Sequence, residues 1–239
     1  LKKLLIPLLV LLLAGCIQEK IIADEVIKQM QNKYAGIAGY RAKIHVKEVT
    51  NGKIHEEEYE VVFKKPDRFR IDTNNTMMVS NGEKLWFYNK NKNEVKVQRI
   101  NSTESPDLFY GSLLNMLKDY NIEILKEESV NGKDCYVLNL TANYSDFREN
   151  QLRKIWVAKH DWYPVRVEMK IEFRVPEEVQ IQTGLKNRSS ILVLEYSDFE
   201  FNSVRDEEFE FEIPEGVRVV ILSVPLPYFE GYRWGYEFL

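Results

Sequence analysis

The side chains able to do covalent, metal or acid–base chemistry are few in this sequence, and their spacing organises almost none of them. Only two cysteines occur among 239 residues, Cys16 and Cys135, so neither a cysteine-rich zinc cluster nor a disulfide framework can be built. Cys135 falls in a strand-like stretch with no cysteine partner, where a buried thiol is inert. His45, His55 and His160 show no metal-ligand spacing, and no His-Glu-x-x-His pair is present. No phosphate-binding glycine loop and no Gly-x-Ser-x-Gly elbow occurs. Acidic clusters at Glu56–Glu58 and Glu207–Glu212 offer paired carboxylates. In the second, Glu208, Glu210 and Glu212 alternate with Phe209, Phe211 and Ile213, the period of a strand with one solvated face. No catalytic residue, no metal site and no cofactor is expected, so the chain reads as a binding protein rather than an enzyme.

Cys16 has a different setting. Leu1-Lys2-Lys3 precedes an apolar run from Leu4 to Ala14, and Gly15-Cys16 follows. A basic start, a short apolar stretch and small residues before a cut describe an export signal. The run would span roughly 17 Å as a helix, too short for a hydrocarbon core of about 30 Å. Leu13-Ala14-Gly15-Cys16 resembles the lipobox of prokaryotic lipoproteins, in which the cysteine becomes the lipidated mature N-terminus. Residues 1–15 are then the signal peptide, 16–20 a tether, and the folded body is extracytoplasmic, held on a membrane by lipid at Cys16. Each buried methylene of such a lipid contributes about 0.8 kcal/mol.

The elements that must follow are mostly strands. Apolar residues make up 44% and charged residues 29%, the composition of a folded body. With 33 basic and 37 acidic residues and no block of one sign, the electrostatic footprint of a nucleic-acid binder is missing. Ile22, Val26 and Met30 recur at helical spacing, predicting an amphipathic helix over 21–34. The period then switches to two. Asn51-Gly52, Asn81-Gly82 and Asn131-Gly132 are hairpin signals, and Ser105-Pro106 opens a second helix to about residue 119. Val165, Val167, Met169, Ile171 and Phe173 alternate with charged residues in the clearest one-sided strand. About ten or eleven strands result, joined by hairpins into one antiparallel sheet that must curl as its twist accumulates. Its apolar face would line a concave trough, with the two helices available as a cover. Leu85-Trp86-Phe87-Tyr88 is apolar on both faces, leaving open which pair faces inward.

Four stretches carry a family resemblance in order and spacing. They are Phe63-Lys64-Lys65-Pro66-Asp67-Arg68-Phe69-Arg70, then Val79-Ser80-Asn81-Gly82-Glu83-Lys84-Leu85-Trp86-Phe87-Tyr88-Asn89. Ile155-Trp156-Val157 leading to Tyr163-Pro164-Val165-Arg166 is the third, and the run from Glu208 to Val217 the fourth. Over residues 21–222 the chain resembles the lipoprotein-localisation carrier superfamily (LolA/LolB-like). The resemblance implies an unclosed half-barrel lidded by helices, holding lipid acyl chains or the lipid anchor of a client protein. It puts Lys65 at the position of a basic residue that fastens the lid, where arginine is usual. Lysine lacks arginine's planar fork of donors. The soluble shuttle of the superfamily carries no anchor, so Cys16 marks a membrane-tethered member.

Trp86, Tyr88, Val165, Val167, Met169, Ile171 and Phe173 form the expected ligand-lining set. The partners expected are a membrane through Cys16 and a lipid or lipoprotein ligand. An alternative reading is a non-catalytic envelope sensor or scaffold that binds another protein through the same fold. Sequons at Asn74, Asn101, Asn139, Asn143 and Asn187 suit an exported chain. Beyond Leu222, residues 223–239 form an aromatic tail with Tyr228, Phe229, Tyr232, Trp234, Tyr236 and Phe238, which can rest at a bilayer interface, add an edge strand or plug the trough.

Overall fold

A computed structural model describes residues 21–100, 107, 109–143, 150–173 and 188–222. The expectations at Cys16, the tether and the tail 223–239 lie outside these residues. Helix α1 spans Ala23–Ala35 and buries Val26 and Met30 at the spacing read from the sequence. Gly36 caps its end in a right-handed conformation. Six strands follow: β1 Gly39–Thr50, β2 Lys53–Lys64, β3 Arg68–Asp72, β4 Thr76–Asn81, β5 Lys84–Asn89 and β6 Glu94–Arg99. Helix α2, Tyr110–Met116, continues as one 3-10 turn to Asp119. Then come β7 Tyr120–Val130, β8 Lys133–Ala142, β9 Asn150–Ala158, β10 Pro164–Phe173, β11 Arg188–Phe201 and β12 Arg218–Ile221.

All twelve strands join one sheet in the order β12-β6-β5-β4-β3-β2-β1-β11-β10-β9-β8-β7. Among the described residues the sheet does not close, since β12 and β7 are its two edges. Asn51 and Gly52 both take positive φ, as do Asn131 and Gly132, the primed turn whose twist matches the flanking strands. Gly39 is required for a different reason: a Cβ there would stand 2.4 Å from the Phe63 carbonyl oxygen.

Two features differ from the expectation. The sheet has twelve strands, and its last pairing is parallel: β12 lies alongside β6 in the same direction. After β11 the chain recrosses the outer face of β3–β5 and reaches β6 from its starting end, so the final strand cannot arrive antiparallel. The run 208–213 lies within that crossing and is not a strand. Asp206–Phe209 form a 3-10 turn, and the Arg205 N–H donates to Glu208 Oε1. Glu208 is therefore largely covered and paired with Arg41 at 2.7 Å. Its burial pushes the carboxyl pKa up, but the Arg205 N–H and Arg41 outweigh that and hold it low.

The helices cover one face of the sheet. Tyr40, Ala42, Ile44, Val61, Phe63, Phe69, Leu85, Ile155 and Val167 join Val26, Met30 and Tyr110 in a continuous buried core. This is the inner face, and burying it is the main term favouring the fold.

Candidate functional site

Strand registers decide which side chains share the inner face, because directly opposed residues point the same way. Ile44 faces Tyr196, Val46 faces Leu194, and Leu194 faces Val167, which in turn faces Ile155. Along this surface burial changes. Val165 and Val167 are 1% exposed and belong to the same buried core as Val26, Met30 and Tyr110 of the helices. Leu194, level with Val167, and Met169 and Leu192, further toward the Thr50 end, are only half-buried, as are Tyr59 and Met78 on β2 and β4. A half-buried apolar stretch thus lies between this core and Ser190, which is opposed to Thr50 and only 3% exposed. Glu48 and Glu57, opposed to Leu192 and Val46, place carboxylates on the same face there. Burial, with Glu57 and Glu48 nearby, pushes the Tyr59 hydroxyl pKa up. Between α1 and the start of β7 lies a cleft of about 590 Å³, with Ile27, Leu117, Tyr120 and Ile122 among its walls.

The opposite end is fastened by a buried carboxylate. Asp107 is 5% exposed and collects donors from three elements. Tyr40 Oη of β1 donates to Oδ1 at 2.8 Å. The N–H groups of Phe109 and Gly111 at the start of α2 donate to Oδ1 and Oδ2, both at 3.0 Å. Burial pushes the Asp107 pKa up, opposed by these donors and by Tyr34 of α1. The Tyr110 hydroxyl donates to the Trp162 carbonyl at 2.6 Å, with the Met30 carbonyl at 3.0 Å. Both helices are thereby tied to the sheet at its Gly39 end.

Lys65 belongs to the same end. Its Nζ donates to the Tyr34 carbonyl at 2.5 Å and lies 4.2 Å from the centre of the Tyr34 ring. A cation on the last carbonyls of a helix also meets the negative end of its dipole. Desolvation pushes the Lys65 pKa down, against the attraction of Asp107. A flexible ammonium suffices here because the acceptor is a carbonyl, which asks for no planar fork.

The remaining candidates scatter. Trp86 and Tyr88, expected in the ligand-lining set, stand on the outer face, opposed to Val79 and Val97 and to Met77 and Val95. Phe211, from the crossing segment, covers them with ring centres at 6.0 and 6.2 Å. The inner face of the same strand belongs to Leu85, which is 1% exposed and packs in the core. The backbones of Ile171 and Phe173 continue β10, and their side chains lie outside the described residues. Cys135 is buried, its Sγ donating to the Lys133 carbonyl, and burial pushes the thiol pKa up. Two acidic residues of β2 form cross-strand pairs, Glu58 with His45 at 2.6 Å and Glu56 with Lys47 at 3.1 Å. Among the described residues no group of three or more His, Cys, Asp or Glu could hold a metal ion, and no helix is long and apolar enough to cross a membrane.

Asp107 is the residue that sequence reasoning missed. The helix start was placed at Ser105-Pro106, outside the described residues, although aspartate caps helices as well as serine does. Its position two residues before Phe109 was the available signal.

A family model described as an "Uncharacterized protein" family matches residues 55–212, and the chain belongs to that family. An uncharacterized protein of Methanocaldococcus jannaschii is 28% identical over 215 residues, 87% of this chain, and the chain spans 56% of that relative's length. The outer-membrane lipoprotein carrier protein of Pseudomonas aeruginosa is 25% identical over 165 residues, 66% of this chain and 68% of the carrier. A solved structure titled a LolA superfamily protein, from Nitrosomonas europaea, is 14% identical with a TM-score of 0.35, covering 80% of this chain and 99% of its own. The similarity to the lipoprotein-localisation carrier superfamily read from the four motifs holds, and the open curved sheet with two covering helices is the fold it implied.

Proposed function

We propose that the protein is a non-catalytic, extracytoplasmic binding protein, anchored to a membrane by lipid at Cys16, that holds a lipophilic ligand on the uncovered part of its inner face. The ligand class is lipid acyl chains or the lipid anchor of another protein. One observation carries the reading: the apolar inner face of β10 and β11 passes from buried Val165 and Val167 to half-buried Leu194, Met169 and Leu192. Sequence similarity to the Pseudomonas carriers supports it. Apolar burial supplies about 25 cal/mol per Å². A ligand exchanged with a membrane gains only the difference between two apolar surroundings, so capture is reversible.

The test is mass spectrometry of lipids that co-purify with natively expressed protein, followed by titration with a fluorescent fatty acid. Bound lipid, and a loss of probe affinity of at least tenfold in Leu194→Asp with an unchanged circular dichroism spectrum, would support the reading. Met169→Ala is the gentler companion should the charged variant fail to fold. Absence of lipid together with unaltered probe binding in both variants would show that this surface is packing only. The envelope sensor or scaffold would then be the surviving interpretation.

A further inference from the structure

The outer face carries a row of cations at the Gly39 end of the sheet, away from the inner apolar surface. Lys64 is opposed to Arg68, Arg68 to Asn81, and Lys84 to Arg99. Lys84 shares parity with Trp86, and Asn81 with Val79, which faces Trp86, so all five point outward. They line one cleft of about 960 Å³. Five cations, counting Lys65, face the carboxylates of Asp67, Glu83 and Asp206 across it.

The two pairs of like charges are treated differently. Asp206 Oδ1 bridges the first, 2.5 Å from Lys64 Nζ and 2.9 Å from Arg68 Nη1. The second pair, Lys84 and Arg99, has no carboxylate bridging its members among the described residues. Neither charged group has an ion-pair or hydrogen-bond partner among the described residues. Directly opposed like charges destabilise a sheet, yet the local backbone holds them together. Asn81 Oδ1 accepts from the N–H groups of Glu83 at 3.0 Å and Lys84 at 2.9 Å, fixing the hairpin that presents Lys84 to Arg99.

We propose that Lys84 and Arg99, with Arg68 beside them, bind a phosphate ester group that occupies the second pair as Asp206 occupies the first. A phosphate ester brings at least one full negative charge, about −1.5 to −2 in a monoester, and two or more free oxygens that can accept from both cations at once. Arg99 adds a planar fork suited to two phosphate oxygens. The cleft is wide enough for the group that the phosphate esterifies. An anionic phospholipid headgroup and a soluble phosphate ester share this chemistry. The site goes beyond the lipophilic reading and does not depend on it, because the two surfaces lie on opposite faces of the sheet.

The experiment compares full-length wild type, Lys84→Ala/Arg99→Ala, and a charge-matched control, Lys28→Ala/Lys53→Ala, both of whose positions are exposed. Inorganic phosphate is titrated by NMR, and binding to phosphatidylglycerol and phosphatidylcholine vesicles is measured by sedimentation. In wild type the amides of residues 81–85 and of Arg99 should shift together. The site variant should lose at least tenfold in phosphate affinity and the control should not. The site variant should also melt no lower than wild type, since it removes a repulsive pair. Preference for phosphatidylglycerol that disappears only in the site variant identifies a lipid headgroup. Phosphate binding without vesicle preference identifies a soluble ester. Equal phosphate binding by the two double variants overturns the proposal.

Discussion

Replacing Asp107 separates a structural tie from a surface carboxylate. In Asp107→Ala the Tyr40 hydroxyl and the Phe109 and Gly111 N–H groups lose their acceptor in a buried setting. Each orphaned donor costs about 1–3 kcal/mol. Removing a carboxylate that burial already disfavours returns part of that, so a net loss of about 3 kcal/mol is expected. Asp107→Asn keeps one acceptor oxygen and should lose about half as much. The pH dependence has a definite sign. The folded-state pKa of Asp107 is raised above its unfolded value, so the folded state binds the proton more tightly. The stability contributed by this group is full below the unfolded carboxylate pKa and is lost as pH rises through the folded value. Asparagine does not titrate, so the margin of wild type over Asp107→Asn should shrink between about pH 4 and about pH 7. Urea unfolding followed by circular dichroism at both pH values measures this, and hydrogen exchange at Phe109 and Gly111 reports the helix start directly. A margin that widens with pH, or an Asp107→Ala variant within about 0.5 kcal/mol of wild type, would refute the reasoning.

Three further outcomes follow from single contacts. Lys65→Met should speed hydrogen exchange in the last turn of α1 while Lys65→Arg restores protection, because the Tyr34 carbonyl accepts from the side-chain cation. Gly39→Ala should destabilise by about 2 kcal/mol or more in thermal melts, since its Cβ meets the Phe63 carbonyl backbone, which cannot swing away. Cys16→Ser should abolish lipoprotein processing and release the protein from membranes in fractionation; an unmodified Cys16 in mature native protein would refute the anchor.

Features whose partners sit nearby in the chain were the readable ones. Asn51-Gly52 and Asn131-Gly132 specify their turns with two residues each, and the alternation of Val165 and Val167 with charged Arg166 and Glu168 assigns a buried face without knowledge of what buries it. The face of Trp86 was not readable because Leu85-Trp86-Phe87-Tyr88 is apolar on both sides. The cover that decides between them, Phe211, comes from a segment more than a hundred residues later. Glu208 shows the opposite failure. A period of two holds through Glu212, but the Arg205 N–H draws the Glu208 carboxylate into a 3-10 turn, and Arg41 then pairs with it. Asp107 stayed hidden because Tyr40, its partner across the core, lies 67 residues away. A capping pattern predicts a helix start but not a hub.

The asymmetry of the lid has a consequence for how an apolar ligand would enter. At the Gly39 end, Asp107, Tyr110 and Lys65 join both helices to β1, to the β9–β10 turn and to the start of β3. Opening there would expose a buried carboxylate's donors and break several hydrogen bonds at once. At the Thr50 end Met169, Leu192 and Leu194 present apolar surface with no comparable buried carboxylate hub among the described residues, and apolar contact is non-directional and re-forms around a guest of similar shape. Displacement of side chains by an acyl chain therefore costs least where Met169, Leu192 and Leu194 already meet solvent. Methionine adds to this, since an unbranched thioether adapts to a changed neighbour more readily than a β-branched side chain. In the proposed reading the fixed end would serve as a hinge support, and the opposite margin is the part that would accommodate a ligand.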